Sequence, residues 1–230
     1  MRRRGSRHGD GPAKDVLIVM GGVYSIEGVI PVVHPSAFVH PDASLIGDVH
    51  IGAHCYIGPF ASLRGDLGRI EVREGTNIQD SCVMHCFPGR AMVIDIDGHI
   101  GHGAVLHGCQ IGPGVLIGMG SIVMDGVVVG ARAFVGAHSF VKSGMVVPEG
   151  WLVAGSPARE VRALTEVEMN WKANGTVIYQ QIAARSLESL KRVEPLTQVE
   201  ADRPSLRVER DIASPLTEHR VASESNNSSS

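Results

Sequence analysis

Aromatic residues are scarce in this chain of 230 residues: two tryptophans, three tyrosines and five phenylalanines, 4% in all. An interior built on large rings is therefore excluded, and aliphatic and small side chains must fill it. No apolar run approaches the roughly 20 residues of a membrane-spanning helix. Charge of one sign is also missing. A net charge of −3 gives no electrostatic reason to expect nucleic acid or a membrane surface as a partner. The four cysteines, Cys55, Cys82, Cys86 and Cys109, are irregularly spaced. They read as free thiols in a reducing cytoplasm rather than as a disulfide framework.

What the chain has is a period. Apolar residues recur at every sixth position, through Val39, Leu45, Ile51, Ile57 and Leu63, then Val72, Ile78 and Met84, then Ile111, Ile117, Val123, Val129, Val135 and Val141. Four residues after most of them stands a small or branched residue, such as Val49, Cys55, Ala61, Val115, Ser121 or Ala133. Six matches neither a helix nor an alternating strand. It matches a hexapeptide β-solenoid, in which each hexad forms one face and three hexads close a triangular coil. The expected fold is all-β: a left-handed parallel β-helix with a C-terminal α-helix. Glycine, 28 residues in all, is expected at the corners.

The repeat also works as a ruler. Counted through its insertions, it places Leu63, Met84 and Leu106 on one face of successive coils. Arg64, His85 and His107 then form an outward column spaced by about 4.8 Å, the distance between neighbouring strands. Ile78 and Ile100 share the adjacent face, so Asp80 and His102 stack there. Two imidazoles one strand apart can share a metal ion, and His102, around a corner, can join them only from another chain. The expectation is a homotrimer with a metal held between subunits by His85, His102 and His107. Three imidazoles around Zn2+ leave one position for water, whose pKa falls to about 7. Fe2+ or Co2+ would also suit imidazole. Of the eleven histidines, His34, His40, His50, His54, His99 and His138 read as structural or surface residues.

The ion-pair reading of Arg64 and Asp66 is a surface contact worth about 0–1 kcal/mol. The functional reading has Asp66 orienting Gln79 or the bound water, and Arg64 pairing with Asp80 across the interface. Gln79 would donate to an oxyanion, and Asn77 would fix a turn.

Residues 1–19 read as a disordered extension, or one that is not translated if initiation is at Met20. A signal peptide is disfavoured by Lys14, Asp15 and Glu27 flanking the short apolar run. Residues 20–160 form the solenoid, with loops at Arg64–Ile70 and Cys86–His99, ending near Pro157, which lacks an N–H for strand pairing. Thr165 and Glu168 form a plausible capping box, opening a helical segment within 161–194 of one or two helices. Residues 195–230 read as a polar, largely disordered tail.

Arg64-Gly65-Asp66, Asn77-Ile78-Gln79-Asp80, His85 and His102-x4-His107 resemble, in order, the motif of the γ-class carbonic anhydrase family. Within it the chain is most similar to the phenylacetic acid degradation branch, alongside a carnitine-operon relative. This resemblance runs from about Met20 to Arg203, through Val83-Met84-His85, Leu106-His107-Gly108-Cys109 and Val123-Met124-Asp125-Gly126. It implies a trimeric β-helix with an interfacial metal, ion-paired Arg64 and Asp66, Gln79 beside a metal-bound water, and Tyr179 in the active site. The branch implies hydrolysis of acyl-coenzyme A thioesters in phenylacetate catabolism. Leu67 stands where family carbonic anhydrases have Glu, and residues 86–99 contain no Glu, which argues against fast CO2 hydration. The leading expectation is thus a zinc-hydroxide thioesterase in the cytoplasm. The alternatives are a slow γ-type carbonic anhydrase, a hexapeptide acyltransferase or a non-catalytic scaffold.

Overall fold

The structure is a computed structural model and describes residues 22–206 and 214–218. The chain winds into a parallel β-solenoid closed along one side by a single long helix. Three inward files of aliphatic side chains run its length, one per face. Leu45, Leu63, Met84, Leu106, Val123 and Val141 form the first, each paired in register with the next. Ile57, Ile78, Ile100, Ile117, Val135 and Val153 form the second. Ile51, Val72, Ile94, Ile111, Val129 and Val147 form the third. None of these eighteen side chains is more than 3% exposed. The small residues four positions on, Cys55, Ala61, Val115, Ser121 and Ala133, are equally buried and fill the corners. The six-residue ruler therefore describes the structure directly.

Close packing of successive coils explains several glycines. A Cβ on Gly118 would lie 2.4 Å from the backbone nitrogen of Ala137 on the next coil, so nothing larger fits. Other corners bend through left-handed residues that are not glycine, among them His54, Phe60, Ser81 and Asp97.

The structure corrects the sequence reading at two places and narrows it at a third. Arg64–Ile70 is not a loop but the middle of a continuous strand, Ser62–Val72, which follows Ser44–Ile51 around a corner. The three-residue insertion is absorbed at a register shift: Gly65 pairs with Gly47 and Ile70 with Val49, so residues 66–69 stand against Asp48 alone. Pro157 does not end strand pairing. The chain reverses there, and Ala158–Ala163 pairs antiparallel with Trp151–Gly155, capping the open sheet edge. The helical segment is one helix, Glu166–Ser189, opened by the expected capping box of Thr165 and Glu168. Residues 1–19, and 207–213 and 219–230 of the tail, lie outside the described residues.

The helix covers the face whose outward residues are Phe38, Tyr56, Asn77 and His99, stacked in register. Tyr179 sits against both Tyr56 and His99, with ring centroids 5.4 Å away in each case. The four cysteines are free and buried. Burial pushes the Cys55 and Cys109 thiols up to about 12 and Cys82 to about 11, so none is a ready nucleophile.

Candidate active site

Two adjacent strands, Val83–His85 and Val105–His107, pair residue for residue, with His85 opposite His107. Because Met84 and Leu106 point inward, the following imidazoles must both point out of the same face. His85 Nδ1 lies 3.2 Å from His107 Nε2. Each far nitrogen meets a carboxylate. His85 Nε2 is 3.0 Å from Asp66 Oδ1, and His107 Nδ1 is 2.7 Å from Asp125 Oδ1. Phe87 packs edge-on against the His107 ring at 4.9 Å.

The protonation pattern follows from these partners. A carboxylate only accepts, so His85 carries its proton on Nε2 and His107 on Nδ1. The two nitrogens that face each other then both present lone pairs. At 3.2 Å that contact is repulsive unless a cation, a proton or a metal ion, lies between them. Asp66 is also held by Arg64, Nη1 to Oδ2 at 2.6 Å. Burial works upward on its pKa, but the hydrogen bonds from Arg64 and His85 outweigh it and lower the carboxyl.

Of the residues named from sequence, the structure brings Arg64, Asp66, His85 and His107 into one cluster. His102 stands on the neighbouring face, where its Nδ1 lies 3.0 Å from Asp80 Oδ2. Among the described residues, no three His, Cys, Asp or Glu side chains of one chain gather closely enough to hold a metal ion. Asp66 is engaged by Arg64 and His85, not by Gln79. Gln79 is buried, and its Nε2 lies 2.9 Å from Asn77 Oδ1 and 2.7 Å from His99 Nε2. Its Oε1 accepts from the His102 backbone N–H at 3.3 Å. Asn77 is likewise a buried strand residue of this amide–imidazole network rather than a turn former. Tyr179 belongs to the helix side and not to the histidine column.

His99 is locked into that network, and its burial lowers its pKa to about 3. It stays neutral when folded but takes up a proton when unfolded below about pH 6.5. Its contribution to stability is therefore present above that pH and is lost as pH falls. Acidification from pH 7 to pH 5 should cost about 2 kcal/mol at this residue. Denaturant midpoints of wild type and His99→Asn measured across that range should converge as pH falls.

Asp125 joins the site without being among the residues that the sequence points to. It lies eighteen positions after His107, one uninterrupted coil further on. Gly108 makes room for it. A Cβ there would sit 2.4 Å from Asp125 Oδ1, and its φ of +53° disfavours a side chain. Gly108→Ala should cost about 1–2 kcal/mol for the left-handed backbone. It should also push Asp125 off His107 while the chain still folds, so Gly108→Ala and Asp125→Asn should change the His107 nitrogen-15 spectrum alike, as parallel melts and spectra would show.

Residues 30–65 and 108–143 match the family model described as bacterial transferase hexapeptide, six repeats. The carnitine operon protein CaiE of Escherichia coli is 51% identical over 190 residues, covering 83% of this chain and 97% of CaiE. Among solved structures, a hexapeptide transferase family protein from Anaplasma phagocytophilum is 40% identical with a TM-score of 0.68, covering 70% of this chain and 96% of that one. A Bacillus cereus protein that carries an acetyltransferase assignment is 31% identical with a TM-score of 0.72, covering 73% of this chain and 98% of that one. These relatives overturn the expectation of a zinc-hydroxide thioesterase of phenylacetate catabolism. They are named for the carnitine operon and for transferases, and neither hydrolysis nor phenylacetate appears among them. The motif shared with the thioesterase branch lies in residues that build the solenoid and its histidine column. Such residues are common to proteins of differing chemistry on one fold. No helix among the described residues is long and apolar enough to cross a membrane.

Proposed function

We propose that this chain, which belongs to the bacterial transferase hexapeptide family, is an acyltransferase whose reactive centre is the His85–His107 pair. The observation that carries the reading is the 3.2 Å approach of His85 Nδ1 and His107 Nε2, each imidazole fixed from behind by a carboxylate. His107 Nε2 takes the proton of an acceptor amine or hydroxyl as its heteroatom adds to the carbonyl of a coenzyme A thioester. The new bond to the acyl carbon forms, the carbon–sulfur bond breaks, and the proton passes to the departing thiolate. Asp125 stabilises the imidazolium formed meanwhile, as the acid partner of a catalytic histidine does. His85 Nδ1, facing the same proton, lowers the cost of holding it. The acetyltransferase assignment of the Bacillus cereus relative supports acyl transfer.

The purified protein should release free coenzyme A from acetyl- or longer acyl-coenzyme A only when an amine or hydroxyl acceptor is supplied. Thiol release that is absent with every acceptor, or that proceeds equally without one, would end this reading.

The same lone pairs support a second reading of the centre. His85, His107 and His102 of the partner subunit would hold a divalent transition-metal ion, and carboxylates behind metal-bound imidazoles are the usual arrangement. Such an ion would supply Lewis-acid polarisation of the carbonyl. The assembly would then be a trimer, with exposed Val83 and Ile122 beside the column available for subunit contact. Elemental analysis of protein purified without chelators, with light scattering, tests it. Metal present in wild type and lost from His85→Ala supports the ion, and a metal-free monomer removes it.

A further inference from the structure

A cavity of about 290 Å³ lies between the long helix and the coil corner at Asp97, apart from the histidine pair. Its walls are mostly apolar, with Phe134 from the solenoid and Met169 and Val177 from the helix. Lys172 also lines it and is only 4% exposed. Its ammonium donates to the backbone carbonyl of Asp97, which uses one of its three N–H groups. No carboxylate pairs with it among the described residues. The Asp97 carboxylate is turned instead to Gln180, whose Nε2 lies 3.0 Å from Oδ1. Arg132, the other cation at the cavity, is exposed and paired with Glu149 at 3.1 Å.

A buried cation with no carboxylate bonded to it is an arrangement proteins avoid, because the charge has lost water and the nearby Asp97 carboxylate is spent on Gln180. Burial lowers the Lys172 pKa to about 8, although Asp97 works the other way. The amine is thus still mostly protonated at neutral pH, and an anion is the missing partner. The apolar walls specify the rest of the ligand, and the volume limits it to a small molecule.

We propose that this cavity binds a small monocarboxylate with an apolar tail, its carboxylate on Lys172 Nζ and its tail against Phe134, Met169 and Val177. The site is independent of the acyl-transfer reading, because no residue of the histidine cluster lines it.

The test uses the full-length protein in its native assembly. Hexanoate and benzoate are titrated by calorimetry and by saturation-transfer NMR, with hexanol and hexylamine as neutral and cationic controls. Wild type should bind hexanoate saturably and should bind the two controls at least tenfold more weakly. Lys172→Met, which keeps the stem and removes the charge, should weaken hexanoate at least tenfold and leave hexanol unchanged. Val177→Trp, which fills the cavity and keeps the amine, should abolish hexanoate binding, and it carries the test if Lys172→Met fails to fold. No saturable binding by wild type, or equal affinity in a folded variant of either kind, would overturn the proposal.

Discussion

His107→Ala is expected to lower acceptor-dependent acyl transfer by about 10²–10⁴-fold, the range that a general base contributes. The substitution removes the nitrogen that faces His85 and leaves Asp125 without its partner. It should do little to the fold, because the His107 side chain is 24% exposed and projects out of the coil. Thermal melts of the variant should stay near wild type, and exogenous imidazole should restore part of the rate. A variant that keeps its rate would remove His107 from the reaction.

The largest effect on stability is expected one residue earlier. Leu106 is 1% exposed and stands in the first inward file, between Met84 and Val123. The interior is close-packed and made of aliphatic side chains, so Leu106→Ala leaves a cavity that neighbouring coils cannot fill. The expected loss is about 2–5 kcal/mol. Val83, on the outward side of the paired strand, is 43% exposed. Val83→Ala should change the stability of the isolated subunit by no more than about 0.5 kcal/mol. Equal losses from the two substitutions, read from denaturant midpoints, would mean that the inward and outward positions have been exchanged.

The solenoid is legible in the sequence because its interior admits one residue type at each sixth position, and a slip of one residue would turn the whole set outward. The same counting places His85 beside His107 and His102 on the next face. It fails where the chain departs from the hexad. Residues 66–69 bulge against Asp48 alone and still continue the strand Ser62–Val72, so an apparent loop is strand. The antiparallel return of Ala158–Ala163 carries no period at all. Asp125 could have been found by adding one coil of eighteen residues to His107. Gln79 is a different case. Its placement depends on Asn77 and His99 capturing its amide, a competition between side chains that spacing does not encode. The chemistry was the least legible part, because the histidine column belongs to a fold on which several reactions run.

The orientation of the two facing imidazoles carries the account, and nitrogen-15 NMR of histidine-labelled, metal-stripped protein reads it directly, with His85→Ala and His107→Ala spectra assigning the signals. The prediction is a protonated Nδ1 on His107 and a protonated Nε2 on His85, with the remaining nitrogen of each ring in the lone-pair range. A His107 ring protonated on Nε2, or a His85 ring protonated on Nδ1, would contradict it.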